Sequence, residues 1–358
     1  MATTVRRRTG FRSLRVSEVE RLCDDAVAVT FEVPAELAEE FVFLPGQSLT
    51  LRRVVEGREE RRSYSICSLA GSPPRIGVRE VPGGLFSSWL VREVGVGTPI
   101  DVLAPSGSFT PNVGEAARHV FIAAGSGITP VLSIVSSVLD GSSSTATLLY
   151  GNRRTNTVMF ADELADLKDA HRARLELAHV LSREPREAEL FTGRLDADKL
   201  RTLLPLLLPV HDVDHWWLCG PFGMVTDARR VLDEFGVPRE RVHQELFFVD
   251  GVPPEPTRHP EPGVEGPSST VRVVLDGRST ELVTSREVTL LEGAQRARPD
   301  LPFACKGGVC GTCRAMITDG TADMRRNFAL EPSEVAAGFV LTCQSFPASE
   351  QLTVDYDA

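Results

Sequence analysis

Four cysteines near the C-terminal end constrain this chain more than any other feature. Cys305, Cys310, Cys313 and Cys343 follow the spacing C-x4-C-x2-C, then 29 residues, then C. At that spacing three thiolates wrap one side of a sulfide-bridged iron pair and a distant fourth completes a 2Fe–2S cluster. The loop must turn tightly, and Gly307, Gly308 and Gly311 are expected to permit positive φ and let amides approach the sulfurs. A four-cysteine zinc site is the competing reading, although zinc usually takes two C-x2-C pairs. Seven cysteines are an odd number, and four fall within the last 54 residues, which suits a metal site better than a secreted disulfide scaffold.

At 358 residues the chain is long enough for two or three domains. The clearest boundary is residues 251–269, with six prolines and three glycines and no apolar periodicity, which reads as a semi-rigid linker. Beyond it, residues 270–358 form a small unit of the β-grasp type. There Val271, Val273 and Leu275 alternate, Asp276-Gly277 makes a hairpin turn, and Glu281 to Thr284 returns. Residues 1–115 show short alternating runs, such as Val27, Val29, Phe31 and Val33 before Pro34, and are expected to form an antiparallel β-barrel. Residues 116–250 alternate strands with helices, and so predict a parallel α/β domain. The strands are His119 to Ala124, Ala146 to Tyr150, Leu175 to Leu181 and His215 to Cys219. Pro130 to Leu139, Asp162 to Ala170 and Met224 to Phe235 are the helices.

A net charge of −10 argues against a nucleic-acid partner. Arginines at 6, 7, 8, 12 and 15 without an apolar run exclude a secretory signal in the N-terminal stretch, so a cytoplasmic location is expected. Val120 to Leu139 carries no charge, but Gly125-Ser126-Gly127-Ile128-Thr129-Pro130 interrupts it, so no membrane span is expected.

Arg62-Ser63-Tyr64-Ser65 ends a strand of the barrel. Its guanidinium suits a phosphate, its phenol ring the face of a flavin, and the Ser65 hydroxyl the reactive N5 edge. Alone, this run also fits a surface tyrosine between arginines. Gly83-Gly84-Leu85-Phe86-Ser87 follows and offers amides to a diphosphate, with Val78 and Arg79 lining the same groove. In the α/β domain the turn from Gly125 to Gly127 precedes Thr129 as N-cap and Pro130 as first helical residue, which directs a helix N-terminus at a pyrophosphate. Cys219-Gly220-Pro221 ends a later strand beside the same crevice. Glu245-Leu246-Phe247 could bring a carboxylate and a ring to the flavin. After Tyr150 no acidic residue awaits a ribose 2′-hydroxyl; Asn152, Arg153 and Arg154 stand there, and Ser182-Arg183, ending the next strand, resembles the 2′-phosphate contact of plant-type reductases. These residues favour NADPH over NADH.

Together, R-S-Y-S, G-S-G-I-T-P, C-G-P and the four cysteines resemble the ferredoxin–NADP reductase superfamily fused to a plant-type 2Fe–2S ferredoxin. Within it the chain is similar to the reductase subunits of phenylacetyl-CoA epoxidases. That likeness rests on Tyr150 to Arg153, Met159-Phe160, Phe191 to Arg194, Cys305 to Cys310 and Asn327 to Leu330. The resemblance implies FAD in the barrel, NADPH in the α/β domain, and a multisubunit di-iron oxygenase as electron acceptor. It further implies that Arg62, Tyr64, Ser65, Gly84 and Ser87 hold FAD, that Thr129 and Cys219 flank the nicotinamide, and that Glu245 lies near the flavin ring. Ser65, Cys219 and Glu245 are thus the candidate catalytic residues. A reductase of a steroid or aromatic-ring hydroxylase, and a non-enzymatic ferredoxin-like carrier, are the alternatives. The tail beyond Cys343 carries Glu350, Asp355 and Asp357 without a basic residue, so an acidic docking patch is expected there.

Overall fold

The computed structural model describes residues 10–55, 57–247 and 267–358. Strands β1 (Arg12–Cys23), β2 (Ala26–Glu32), β3 (Ser48–Val55), β4 (Arg58–Ser65), β5 (Arg75–Arg79) and β6 (Pro99–Val102) form one antiparallel sheet in the order β4-β3-β6-β1-β2-β5. A bridge between Ile66 and Ile76 joins its two ends and closes the barrel. Helix α1 (Leu85–Arg92) covers one mouth.

The alternation in β2 has a use on both faces. Val27, Val29 and Phe31 enter the barrel core, whereas Ala26 and Ala28 pack into the core of the next domain. The barrel and the α/β unit therefore share a wall.

That second unit contains β7 (Arg118–Ala124), α2 (Ile128–Gly141), β8 (Thr145–Asn152), α3 (Ala161–Ala170), β9 (Leu175–Leu181), α4 (Ala197–Leu207), β10 (His215–Cys219), α5 (Phe222–Glu234) and β11 (Val242–Glu245). Its strands are all parallel in the order β11-β10-β7-β8-β9. The chain order reverses between β7 and β10, and a crevice for ligands opens at their C-terminal ends. Helix α4 and strand β11 escape the sequence pattern. The former is capped by the Asp196 carboxylate, which accepts the Lys199 amide at 3.0 Å.

The third unit is a mixed sheet, β13-β12-β18-β14-β16, with a two-stranded β15-β17 ribbon. Its elements are β12 (Ser268–Leu275), β13 (Arg278–Ser285), α6 (Leu290–Gln295), β14 (Arg314–Asp319), β15 (Ala322–Met324), α7 (Pro332–Ala336), β16 (Phe339–Leu341), β17 (Ser345–Pro347) and β18 (Gln351–Asp355). The Asp276-Gly277 turn forms as predicted, with φ of 55° and 70°. Residues 251–266 of the predicted linker lie outside the described residues, and Ser268 and Ser269 already pair in β12. Among the described residues no helix is long and apolar enough to cross a membrane.

Candidate functional site

The end of β4 and the start of α1 meet as the two sequence motifs require. The Tyr64 ring tilts against Phe86, with centroids 6.1 Å apart, and Phe86 stands edge-on to Trp89 at 5.7 Å. Gly83 turns the chain at φ 74°, and Gly84 caps α1. A Cβ on Gly84 would lie 2.7 Å from Ser87 Oγ, which itself accepts the Val81 amide at 3.0 Å. No side chain caps α1, so its first-turn amides remain available to an anion. Arg62 is half exposed and pairs with Glu60 at 3.0 Å, so it must rotate to reach a phosphate. Val78 does not line the groove; it is buried in the barrel core, because alternation on β5 turns it inward. Arg79 points the other way, pairing with Asp25 at 3.3 Å and donating to the Thr157 carbonyl.

At the crevice, the turn after β7 packs directly on the end of β10. A Cβ on Gly127 would lie 2.2 Å from the Cys219 carbonyl oxygen and 2.7 Å from the Gly220 nitrogen. Gly125 takes φ 56° and its carbonyl accepts the Tyr150 hydroxyl at 2.9 Å. Thr129 is not the N-cap and Pro130 not the first helical residue. The Gly125–Gly127 turn runs straight into α2, so Gly127 is the cap and the Thr129 hydroxyl donates to the Ser126 carbonyl at 3.0 Å. Both residues are buried, and Thr129 and Phe160 press on the bare face of Gly77 in β5. Gly77 belongs to none of the sequence motifs, though a glycine inside a strand is a known sign of close approach.

Ser65, Cys219 and Glu245 come together from three elements. Cys219 and Glu245 are register partners across β10 and β11, and the Ser65 hydroxyl donates to Glu245 Oε2 at 2.8 Å. Burial pushes the Glu245 carboxyl up to about 7, against the pull of the Ser65 hydroxyl. Burial also pushes the Cys219 thiol well above its ordinary range, and the Glu245 charge adds to this. The folded state thus holds the Glu245 proton more tightly than the unfolded chain. The associated stability is complete below the carboxyl's ordinary 4.5 and is lost as pH rises towards about 7. The cofactor-free Glu245→Gln variant is expected to lose this pH dependence of its unfolding midpoint. An unchanged pH profile between those limits would refute the raised carboxyl.

Further along the sheet, the Ser182 amide donates to the Asn152 carbonyl and the Arg183 amide to the Arg153 carbonyl, each at 2.9 Å. Arg153 and Arg183 therefore emerge side by side, both exposed. Phe247 is 42% exposed, at the end of the second described stretch.

The cysteine loop has the geometry of a thiolate cradle. Cys305 Sγ accepts the amides of Gly307, Val309 and Cys310 at 3.3, 3.5 and 3.4 Å. The neighbouring Cys310 thiol, and then these amides, hold Cys305 well below the ordinary thiol range. Positive φ falls on Gly308, Gly311 and Lys306; Gly307 contributes its amide instead. Among the described residues no three ligating side chains converge on one point. The thiols stand as two pairs, Cys305 with Cys310 and Cys313 with Cys343. A bridged iron pair takes two thiolates on each iron, whereas zinc needs all four round one centre. The donor set therefore fits 2Fe–2S. The acidic tail is partly committed: Asp357 accepts the amides of Asp276 and Gly277 at 2.8 and 2.7 Å, and Asp355 accepts that of Asp357 at 2.8 Å.

Comparison with known proteins follows the same three divisions. Oxidoreductase FAD-binding domains match residues 13–110, oxidoreductase NAD-binding domains match residues 121–230, and 2Fe-2S iron-sulfur cluster binding domains match residues 273–348. The chain is 39% identical to one of the subunits of 1,2-phenylacetyl-CoA epoxidase from Escherichia coli (strain K12), covering 98% of this chain and 99% of that one. It is 33% identical to the ferredoxin reductase component of 3-ketosteroid-9-alpha-monooxygenase from Rhodococcus rhodochrous, covering 99% and 100%. The solved structure of phthalate dioxygenase reductase shares the fold, with a TM-score of 0.58 at 24% identity over 97% of this chain and 98% of that one.

Proposed function

Because the chain belongs to the ferredoxin–NADP reductase superfamily fused to a plant-type 2Fe–2S ferredoxin, we propose that it reduces a multisubunit di-iron oxygenase acting on phenylacetyl-CoA. It is an oxidoreductase with FAD-binding, NAD-binding and 2Fe–2S domains, and its relatives are reductase components of oxygenases. The higher identity to the phenylacetyl-CoA epoxidase relative, 39% against 33% for the steroid-monooxygenase component, supports the choice of substrate over the steroid alternative.

In this reading residues 1–115 hold FAD, 116–250 the nicotinamide nucleotide and 270–358 the cluster. When bound, FAD takes two electrons as a hydride and passes them on singly to the cluster. The residues of the chain orient and exclude. The α1 amides with Gly83, Gly84, Phe86 and Ser87 receive the diphosphate, while Ser63 and Tyr64 lie along the ring and Arg62 swings to a phosphate. The Gly125–Gly127 turn and Gly220-Pro221 frame the nicotinamide between Thr129 and Cys219. Ser65 and Glu245 keep a proton between Oγ and Oε2.

NADPH is the nucleotide in this reading. Two exposed arginines with no ion-pair partner among the described residues stand where a ribose carboxylate partner would be needed for NADH. Arg183→Ala is expected to lower the NADPH/NADH ratio of kcat/KM about ten- to a hundredfold, the weight of one charge-assisted contact. An unchanged ratio would remove Arg183 from the site.

The partner is tested by NADPH oxidation coupled to phenylacetyl-CoA epoxidation with the purified oxygenase. The cluster-bearing unit carries twelve acidic and nine basic residues. Coupling should therefore weaken as salt shortens the reach of charge below about 8 Å. Fast ferricyanide reduction without epoxide at any salt concentration would leave the reductase standing and exclude this partner.

A further inference from the structure

Arg61 belongs to none of the sites above, yet it is only 6% exposed. It lies in β4, immediately before the R-S-Y-S run, and faces the ferredoxin-like unit. Its Nε pairs with Glu59 at 2.6 Å, and its Nη1 donates to the Leu301 carbonyl at 3.2 Å. The guanidinium lies 3.9 Å from the Phe303 ring centroid and 4.9 Å from that of Phe11. A buried cation needs every such partner, because leaving it uncompensated is costly. Here the carbonyl and the nearer ring both come from the other domain.

Beside this contact three hydroxyls close on one another. Thr50 Oγ1 is 2.9 Å from Ser63 Oγ, and Thr312 Oγ1 lies 3.3 Å from the first and 3.2 Å from the second. Thr312 Oγ1 is also 3.2 Å from Cys310 Sγ. One side chain thus separates a cluster thiol from the strand bearing Tyr64. Thr50 and Arg61 belong to no recognisable motif, and Thr312 fills a variable position between Cys310 and Cys313.

We propose that Arg61 and the Thr50–Ser63–Thr312 hydroxyls form a latch holding the 2Fe–2S domain against the flavin barrel in the position where an electron crosses. This rests on the reading that FAD lies along Ser63 and Tyr64. In the step itself the reduced flavin loses one electron and the oxidised cluster gains it, the pair having arrived as hydride from the nicotinamide. No bond between the two domains forms or breaks. Arg61 acts through position alone, so its loss affects the second transfer and spares the first.

The test is single-turnover reduction of the full-length holoprotein by NADPH, following flavin and cluster absorbance separately. Arg61→Gln removes the cation and Thr50→Val removes one hydroxyl at nearly constant volume. In each, flavin bleaching is expected to keep its wild-type rate. Cluster reduction is expected to slow about tenfold in Arg61→Gln, the equivalent of one lost contact of moderate strength, and Arg61→Lys should recover part of the rate. Ferricyanide turnover should stay constant while cytochrome c turnover falls. Wild-type cluster reduction rates in both Arg61→Gln and Thr50→Val would overturn the latch. A wild-type protein lacking flavin or cluster bands would instead overturn the reading beneath it.

Discussion

Cys310→Ser is expected to abolish the visible and paramagnetic signals of the cluster while the flavin remains bound and reducible. Cys310 pairs with Cys305 as an iron ligand in the proposed site, and its Sγ lies 3.2 Å from Thr312 Oγ1, which in turn contacts Thr50 and Ser63 of the barrel. A serine hydroxyl at that position does not ionise at neutral pH, and two thiolates per iron become one. Changes to groups that merely support metal ligands cost about 10–100-fold. Loss of a ligand should therefore lower transfer to a one-electron protein acceptor by more than about 100-fold. Ferricyanide reduction, which draws on the flavin, should survive. Metal analysis supplies the decisive control: zinc without iron or acid-labile sulfide in the parent chain would sink the iron–sulfur assignment.

Gly127→Ala is expected to be nearly as severe at the other end of the electron path. The added Cβ would meet the Cys219 carbonyl oxygen and carbon at 2.2 and 2.5 Å, and both belong to backbone that cannot rotate away. The Gly125–Gly127 turn and the Cys219-Gly220 strand end must then separate. Overpacking of this kind costs about 1–3 kcal/mol of stability, and misplacing bound reactants by about 1 Å can cost 10²-fold in rate. Flavin reduction by NADPH should fall by about that factor, with flavin and iron contents unchanged. A wild-type rate would mean that the nicotinamide lies elsewhere than the crevice between β7 and β10.

What could be read from the residues was what depends on local period or fixed spacing. The cysteine loop, the Asp276-Gly277 hairpin and strands β7, β8, β9 and β10 are set by neighbours in sequence and largely appear as expected, whereas α4 escapes the pattern and Gly307 does not take positive φ. The serine, cysteine and glutamate of the proposed hydride site follow from motif resemblance, and the fold brings them within reach of one another. Contacts between domains left no such trace. Arg61 resembles any other arginine of a polar strand until Leu301 and Phe303 bury it. Thr312, between two cluster cysteines, gives no sign in the sequence that the barrel's Thr50 and Ser63 approach it. Val78 illustrates the converse error, since proximity in sequence to Arg79 suggested a shared groove while strand alternation sends it into the core. Helix α2 starts two residues before the expected Pro130 because Gly127 already has right-handed helical dihedrals.

The two-sided burial of β2 bears on how the molecule comes apart. Ala26 and Ala28, with Cys67 and Phe109, belong to the same packed cluster as α2 and Trp217. Arg75 of β5 is clamped to Glu163 of α3 at 2.7 Å on the same seam. The barrel and the α/β unit should therefore melt as one cooperative block, and a fragment cut at residue 115 would present an apolar sheet face to water and aggregate. The cluster-bearing unit has a core of its own and meets the α/β core only at Val309, Cys305 and Phe328 among the described residues. Limited proteolysis should accordingly release that piece alone, leaving a flavin-loaded remainder that still oxidises nicotinamide nucleotide.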